Sequence, residues 1–590
     1  MTDEARVGAA PVLLAWAGTA LAFVAKAQIT AGTVPLILDT DDAMRLVEVR
    51  DFIRGQNWFD LVQHRLNVPY GGLIHWSRLI DLPETILLGL LRLPFGTAAD
   101  GLLAYAWPLL LLLPLIWVGA RIAVRLAGRS AILPAVLLPA FSLVTMAEFA
   151  PGRLDHHSAQ IVLSLVMLEG ALVALRRPAG AIVAGLAAAA ALTIGIESLP
   201  MVAATILIFG LCWATNPVQR TALRDFGLSF ACGTALGLAQ GVPPDRWLAP
   251  MFDAISIVYA TAAGLCALAF VILPVLPLRT VSARLSGGLI AGGLIVGAIL
   301  ALWPAVLRGP YGALDPWLIA NWIDRISEAQ PWLTSLLSDP VYPLAVAVPA
   351  VLALAFAIWN AVRSAPRASW LIYAGILALT LFVMLLQVRA ARLATPIAIP
   401  GCAALIAAAW RWQSQRGGLA PAFAVVGGWL GSAGLAVGLL VTIGVLAVPD
   451  YAAATDDRFR AARQSCLMPA AFADLAGLPP ERIMAPIDLG SHLLAFTPHA
   501  VVAAPYHRNQ EAVLDAFRFF NEPIQQARQI LETRGIGLVV ICPAMKEIRG
   551  LVDHADDSFV SLYAEGKLPA WLIDRSLPSS PLKIYAVGGR

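Results

Sequence analysis

Several groups of polar residues stand out in a chain that is otherwise apolar, and each has a chemistry to offer. The segment DTDDAMRLVEVRDFIRG places Asp39, Asp41 and Asp42 within four residues of one another. One Asp caps a helix; three so close repel each other unless a cation neutralises them. Leu46, Val49, Phe52 and Ile53 follow at helical spacing, so a helix is expected to start near Asp42. The segment MAEFAPGRLDHHSAQ sets Asp155, His156 and His157 just before an apolar run. Asp-x-His puts a carboxylate and an imidazole side by side, a pair suited to a divalent metal; a helix start capped by Asp155 is the plainer alternative. In DPWLIANWIDRISEAQPWL, an amphipathic interfacial stretch leads to Glu328 and Gln330. A lone loop Glu is ordinarily just solvated. In LLQVRAARLATP, Arg389 and Arg392 close an apolar run. Arginine there suits a phosphate, or snorkels to lipid headgroups. Finally, VPYGGLIHWSRLIDLPE carries the pair His75-Trp76, which also reads as an interfacial anchor.

The elements that must position these residues are membrane helices. The chain has 590 residues, 59% hydrophobic and 13% charged, with mean hydropathy +0.75. Soluble proteins carry about 25% charged residues. The shortfall excludes a soluble enzyme, a disordered chain and a nucleic-acid binder, and a net charge of +3 is too small to imply a polyanionic partner. Apolar runs of about 20 residues recur, which defines a polytopic helical membrane protein; a β-barrel would alternate apolar and polar residues. About thirteen spans are expected, near 9–30, 101–125, 131–148, 158–176, 179–197, 199–214, 226–242, 251–275, 285–307, 341–362, 370–388, 393–411 and 421–448. The first reads as a retained span rather than a cleaved signal.

Loop charge fixes the expected orientation. Arg121, Arg125 and Arg129; Arg176 and Arg177; Arg220 and Arg224; Arg279 and Arg284; Arg363 and Arg367; and Arg411 and Arg416 all fall in alternate loops. The positive-inside rule then puts the N-terminus in the cytoplasm and the C-terminus outside. Each polar group described above lies in the other set of loops, 31–100, 149–157, 308–340 and 389–392. A transporter would place polar residues inside its spans, yet these are nearly clean, with Lys26 and Glu197 the clearest exceptions. Polar chemistry on one face points to an enzyme working at the outer membrane boundary.

The tail changes composition. IMAPI, AVVAAPY and IGLVVICP read as short buried strands, and NQEAVLDAFRFFNEPIQQARQILETR as one or two amphipathic helices. Residues 450–590 are thus expected to form a small α/β domain outside the membrane, after a membrane domain over 1–449. Cys466 and Cys542 are the only cysteines in it. In an oxidising compartment they are expected to pair, two unrelated buried thiols being the alternative. Cys212, Cys232, Cys266 and Cys402 fall in apolar runs and read as small core residues.

Taken in order, the outer-loop groups resemble the catalytic subunit of oligosaccharyltransferase, a membrane glycosyltransferase of the GT-C fold, and its archaeal members above all. The first-loop motif D-x-x-x-x-L-R is similar to Asp42-Ala-Met-Arg-Leu-Val-Glu; G-x-x-D-x-H matches Gly152-Arg-Leu-Asp155-His-His157. The fifth-loop motif E-x-Q-P matches Glu328-Ala-Gln-Pro331, and the arginine between the eleventh and twelfth spans matches Gln387-Val-Arg389. His75-Trp76-Ser-Arg-Leu-Ile-Asp81 resembles the family's H-W-x-P-L-F-D stretch. The resemblance covers roughly residues 10–450. It implies thirteen spans, an outside C-terminal domain and a divalent metal, Mg²⁺ or Mn²⁺, on Asp42, Asp155 and His157. It further implies that Asp42 and Glu328 act in catalysis, Glu328 positioning the acceptor or completing the metal shell, and that Arg389 holds the donor phosphate. Asp41, His75, Trp76, His156, Gln330 and Arg392 would support them. Two departures stand against it. The W-W-D motif that reads the Asn-x-Ser/Thr acceptor is missing, Asp488-Leu-Gly490 being the nearest segment in style, and Glu148 lies where an Arg is usual.

The function so implied is transfer of a sugar or oligosaccharide from a polyprenyl-phosphate or diphosphate donor to a glycan, lipid or protein acceptor on the periplasmic face of the inner membrane. A true protein oligosaccharyltransferase is the alternative within the class. A lipid-linked-glycan flippase is the alternative outside it, disfavoured because these spans show no polar path.

Overall fold

A computed structural model describes residues 7–363, 367–447, 457–550 and 552–588. The expected domain boundary at 449/450 lies outside the described residues. Helices α1 (Ala9–Thr30), α4 (Ala99–Ala127), α7 (His157–Ala174), α9 (Leu199–Thr215), α11 (Ile257–Ile272), α12 (Val281–Leu302), α15 (Val341–Arg363), α16 (Arg367–Leu386) and α17 (Ala391–Arg416) belong to the nine described segments long and apolar enough to cross a membrane. A tenth span arises if α18 (Leu419–Ser432) and α19 (Gly434–Leu446), bent by 87°, are taken together. The chain is a multi-pass membrane protein.

The other three expected spans are helical but differ from the expectation. Residues 131–148 split into α5 (Ile132–Leu137), a short 3-10 turn and α6 (Leu143–Glu148). Pro134 and Pro139 remove backbone donors there, and Ser142 caps α6 by accepting from Thr145 N at 3.3 Å. Helix α8 (Ala179–Ile194) has only 16 residues. Helix α10 (Arg220–Gly241) begins with Arg220, Arg224 and Asp225, which shortens its apolar stretch. α7 and α8 approach closely through small residues: a Cβ on Gly180 would meet the Gly170 carbonyl oxygen at 2.6 Å.

The segment between α1 and α4 carries α2 (Thr40–Ile53), a two-stranded hairpin of β1 (Val62–Gln63) and β2 (Gly72–Leu73), and α3 (Arg78–Phe95). α2 starts where the sequence places it. The Asp39 carboxylate accepts from Asp41 N at 3.0 Å, and Asp41 and Asp42 occupy the positive end of the helix dipole. The loop between α12 and α15 holds two short helices, α13 (Pro316–Asn321) and α14 (Trp332–Ser338).

The tail forms a five-stranded sheet in the order β4-β3-β5-β7-β6, from β3 (Arg482–Met484), β4 (Ala500–Val501), β5 (Leu538–Ile541), β6 (Leu572–Asp574) and β7 (Lys583–Val587). β4, β3 and β5 are parallel; β7 runs antiparallel to β5, and β6 pairs antiparallel with β7 at the edge. The three expected strands are β3, β4 and β5, and the amphipathic stretch is two helices, Gln510–Asn521 and Ile524–Arg534. The sheet is seated on the first outer loop. Val501 N donates to Arg65 O at 2.8 Å, the Arg65 guanidinium donates to the carbonyls of Leu494, Thr497 and His499, and α2 shares one buried core with Leu489, Leu493 and Val501. Cys466 and Cys542 form a disulfide with Cα atoms 6.0 Å apart, closing a 76-residue separation, as expected.

Candidate functional site

Asp42, in the first turn of α2, is 1% exposed and faces the loop before α7. Its Oδ1 accepts from Leu154 N at 2.7 Å and Asp155 N at 2.8 Å; its Oδ2 accepts from Arg153 Nη1 at 2.8 Å. Gly152 makes this approach feasible. It has φ +101°, and a Cβ there would sit 1.8 Å from the Leu36 carbonyl oxygen. Arg153 also donates to Asp39 at 2.9 Å and to Glu148 at 3.3 Å.

Asp155 stands between its two histidines. Its Oδ1 lies 2.5 Å from His156 Nδ1 and its Oδ2 lies 3.1 Å from His157 Nε2. Arg392, in the first turn of α17, completes the group. Its Nε donates to Glu148 at 2.8 Å, its Nη1 to His157 Nε2 at 2.8 Å, and its Nη2 to Glu328 at 2.9 Å. Three loops and the start of α17 therefore meet in one polar cluster.

The two central carboxyl groups are pushed apart. Burial raises Asp42 to about 8, with Asp39 and Asp155 adding to it and Arg153 opposing. Burial acts upward on Asp155 too, but His156 and His157 outweigh it and hold the group well below the usual carboxylate range. Asp41, half-buried beside Tyr506, is pushed well up by desolvation and by Asp39.

The expected metal set is only partly reproduced. The three groups whose ligand atoms all lie within 4.8 Å of one another are Asp155, His156 and His157, whereas both Asp42 oxygens are engaged by Arg153 and backbone amides. The donor set nevertheless suits a divalent ion. Five carboxylates, Asp39, Asp42, Glu148, Asp155 and Glu328, meet only two guanidinium groups, Arg153 and Arg392. An excess of negative charge at buried oxygen and imidazole ligands is what a hard or borderline cation neutralises.

Arg389 lies outside this cluster. Its Nε donates to Gln387 at 3.0 Å, its guanidinium bonds Tyr311 from the fifth loop, and among the described residues it makes no ion pair. Gln330 is not brought to the site by its side chain. Its Nε2 donates to the Asp324 carbonyl, while its own carbonyl accepts from Val388 N at 2.9 Å and pins the fifth loop beside Arg389. Trp76 lies under the Arg45 guanidinium, 4.3 Å away, with its ring 6.1 Å from His156. His75 stands apart with His507 and Asp253. Its ring centroid is 4.7 Å from His507, and burial pushes it down to about 3.

Sequence reasoning passed over several residues that build this region. Arg153 sits inside the second motif, yet its partners Asp39, Asp42 and Glu148 are visible only in three dimensions. Arg392, expected only in a supporting place, binds three cluster members, Glu148, His157 and Glu328. Behind α2, Arg45 pairs with Asp81, which also accepts from Arg78 at 2.9 Å. The recurrence of Arg45 three residues after Asp42, on one helix face, was the available signal. Asp253 accepts from Arg508 Nε at 2.7 Å and lies 2.7 Å from His507 Nε2, which ties the C-terminal unit to the loop before α11.

No protein-family model and no curated protein matches the sequence. Solved structures do. The archaeal oligosaccharyltransferase AglB from Archaeoglobus fulgidus, in complex with an inhibitory peptide and a dolichol-phosphate, aligns at 14% identity with TM-score 0.62, over 98% of this chain and 74% of that one. The Archaeoglobus fulgidus oligosaccharyltransferase tethered to an acceptor peptide containing the NVT sequon aligns at 13% identity with TM-score 0.63, over the same 98% and 74%. Its complex with Zn and sulfate aligns at 14% identity with TM-score 0.59, over 96% and 73%. The chain has the GT-C, oligosaccharyltransferase-like fold.

Proposed function

We propose that this chain is a membrane glycosyltransferase that moves a sugar or oligosaccharide from a polyprenyl-phosphate or diphosphate donor to an acceptor on the periplasmic face of the inner membrane. Its N-terminus would lie in the cytoplasm. Residues 1–449 would be the catalytic membrane domain and 450–590 an outside domain. One observation carries the reading. Asp42, Asp155, His157 and Glu328, from three different outer loops, meet through Arg153 and Arg392 at one polar cluster in a GT-C fold. The complexes of AglB and its relatives with dolichol-phosphate, acceptor peptide and Zn support a lipid-linked donor, an acceptor and a divalent metal in general terms.

In this mechanism the acceptor's hydroxyl or amide N–H donates to a carboxylate, Asp42 Oδ2 or Glu328 Oε1. The nucleophile attacks the anomeric carbon as the carbon–oxygen bond to phosphate breaks, and its proton passes to that carboxylate. The leaving oxygen takes the bonding electrons. Arg389, without an ion pair among the described residues, meets the phosphate with charge-assisted hydrogen bonds. Arg392 holds Glu328 and His157 in place, and Arg153 holds Asp42 against Asp155. A divalent ion, Mg²⁺ or Mn²⁺, held by Asp155, His157 and Asp42 would supply further positive charge at the developing phosphate.

The test is turnover of a synthetic polyprenyl-linked sugar in detergent with and without divalent cation. Asp155→Asn is expected to abolish turnover, and Glu328→Gln to depress it more than donor binding. Full metal-independent turnover by Asp155→Asn would refute the site. Movement of intact lipid-linked glycan across vesicles without transfer would favour a flippase.

A further inference from the structure

A cavity of about 840 Å³ lies between α1, the loop that follows it and the C-terminal unit. Asp39, Asp42 and Arg153 line it, so it reaches the first-loop side of the carboxylate cluster. Phe23, Lys26, Ala27 and Thr30 of α1 form one wall. From Phe23 to Thr30 is about 10 Å along a helix axis, so the cavity runs down a spanning helix rather than resting above it. Only 22% of the apolar window of α1 is buried, which leaves this side bordering lipid. The C-terminal unit contributes Arg463, Met468, Asp488 and Met545.

The lining divides by chemistry. Toward α1 it is apolar, with Ala27, Ala31, Leu36 and Leu38, and gives an extended peptide backbone few hydrogen-bonding partners. Two cations stand in it, Lys26 and Arg463, and among the described residues neither makes an ion pair. Arg153, by contrast, is taken up by Asp39, Asp42 and Glu148.

We infer that this cavity receives the acceptor and that the acceptor is lipid-borne: an amphiphile of the outer leaflet whose phosphate-bearing head meets Lys26 and Arg463 and presents its nucleophile to Asp42. The inference rests on the glycosyltransferase reading and narrows its acceptor. Acyl chains leave along α1, and the head enters the polar end. Donor phosphate and acceptor then approach the cluster from different sides, Arg389 with Tyr311 on one and α1 with the C-terminal unit on the other.

The experiment is native mass spectrometry of the full chain in detergent with phosphatidylglycerol, with uncharged diacylglycerol and with inorganic phosphate as competitor. Wild type is expected to prefer phosphatidylglycerol at least tenfold. Ala27→Trp, which fills the apolar wall, and the double variant Lys26→Glu/Arg463→Glu, which reverses the charge without filling space, are each expected to lose at least tenfold of that binding. Equal lipid binding by wild type and both variants overturns the inference. So does full displacement by inorganic phosphate, which would make the site one for a free anion. Release of prenyl phosphate from the donor by the wild-type chain, with water as nucleophile, reads the glycosyltransferase function separately. Its absence would refute that function, whereas release without lipid discrimination would refute only the lipid-borne acceptor.

Discussion

Arg392 and Arg389 lie three residues apart at the outer end of α17, yet their surroundings demand different outcomes on substitution. Arg392 serves Glu148, whose side chain is 6% exposed, and Glu328, whose side chain is 55% exposed. Removing one partner of a buried pair costs about 3–5 kcal/mol; losing an exposed pair costs at most about 1 kcal/mol. Glu148 keeps Arg153 at 3.3 Å, which holds the loss near the lower end. Arg392→Gln is therefore expected to destabilise the fold by about 3 kcal/mol. Arg389 bonds Gln387 and Tyr311 and among the described residues pairs with no carboxylate, so Arg389→Gln should change stability by about 0.5 kcal/mol or less. Its effect belongs to donor use. One charge-assisted hydrogen bond to phosphate is worth about 1.5–3 kcal/mol, or roughly 10–100-fold in turnover. Thermal unfolding in detergent and turnover of a synthetic donor, measured on the same preparations, separate the two effects. Glu148→Gln in the Arg392→Gln background should cost less than the sum of the singles, because the two share one interaction. Equal destabilisation by both arginine substitutions, or an Arg392→Gln chain as stable as wild type, would refute the assignment.

Three further outcomes follow from other parts of the structure. Cys466→Ser, Cys542→Ser and reduction of the wild-type protein should each destabilise the C-terminal unit equally, by about 4–5 kcal/mol for a closed loop of this length, read by thermal unfolding with and without reductant. Gly152→Ala should cost at least about 1–3 kcal/mol from its left-handed backbone alone, and the contact with Leu36 adds to that; a melting curve matching wild type would show that the loop approach is not as described. His492 is buried and neutral, with burial pushing it down to about 4 from 6.5. Its folded value is depressed, so the stability present above pH 6.5 is lost as pH falls toward 4, up to about 3 kcal/mol; His492→Gln should flatten that slope between pH 7 and 4.5.

What the sequence disclosed, and what it hid, divides along a physical line. Asp39, Asp41, Asp42, Asp155, His156, His157 and Glu328 were legible because ionisable groups are rare in so apolar a chain and loop charge assigned them all to one face. Hydropathy placed the long spans but could not see that Pro134 and Pro139 break residues 131–148, because both occur within an apolar run. β6 and β7 escaped for the opposite reason: each is only partly buried, so neither makes a continuous apolar run. The counter-charges were the least legible of all. Arg153 read as an ordinary loop arginine and Arg392 as a phosphate or headgroup arginine, since an ion pair is chosen by where loops separated by 111 and 244 positions come together. That choice changes the chemistry. Burial raises Asp42 toward neutrality against the pull of Arg153, while two imidazoles hold Asp155 ionised. A divergent pair of this kind at the meeting point of three loops can keep one acid ready to share a proton and the other ready to bind a cation. The motif residues named the participants, but burial around Asp42 and the two imidazoles beside Asp155 determine which carboxyl plays which part.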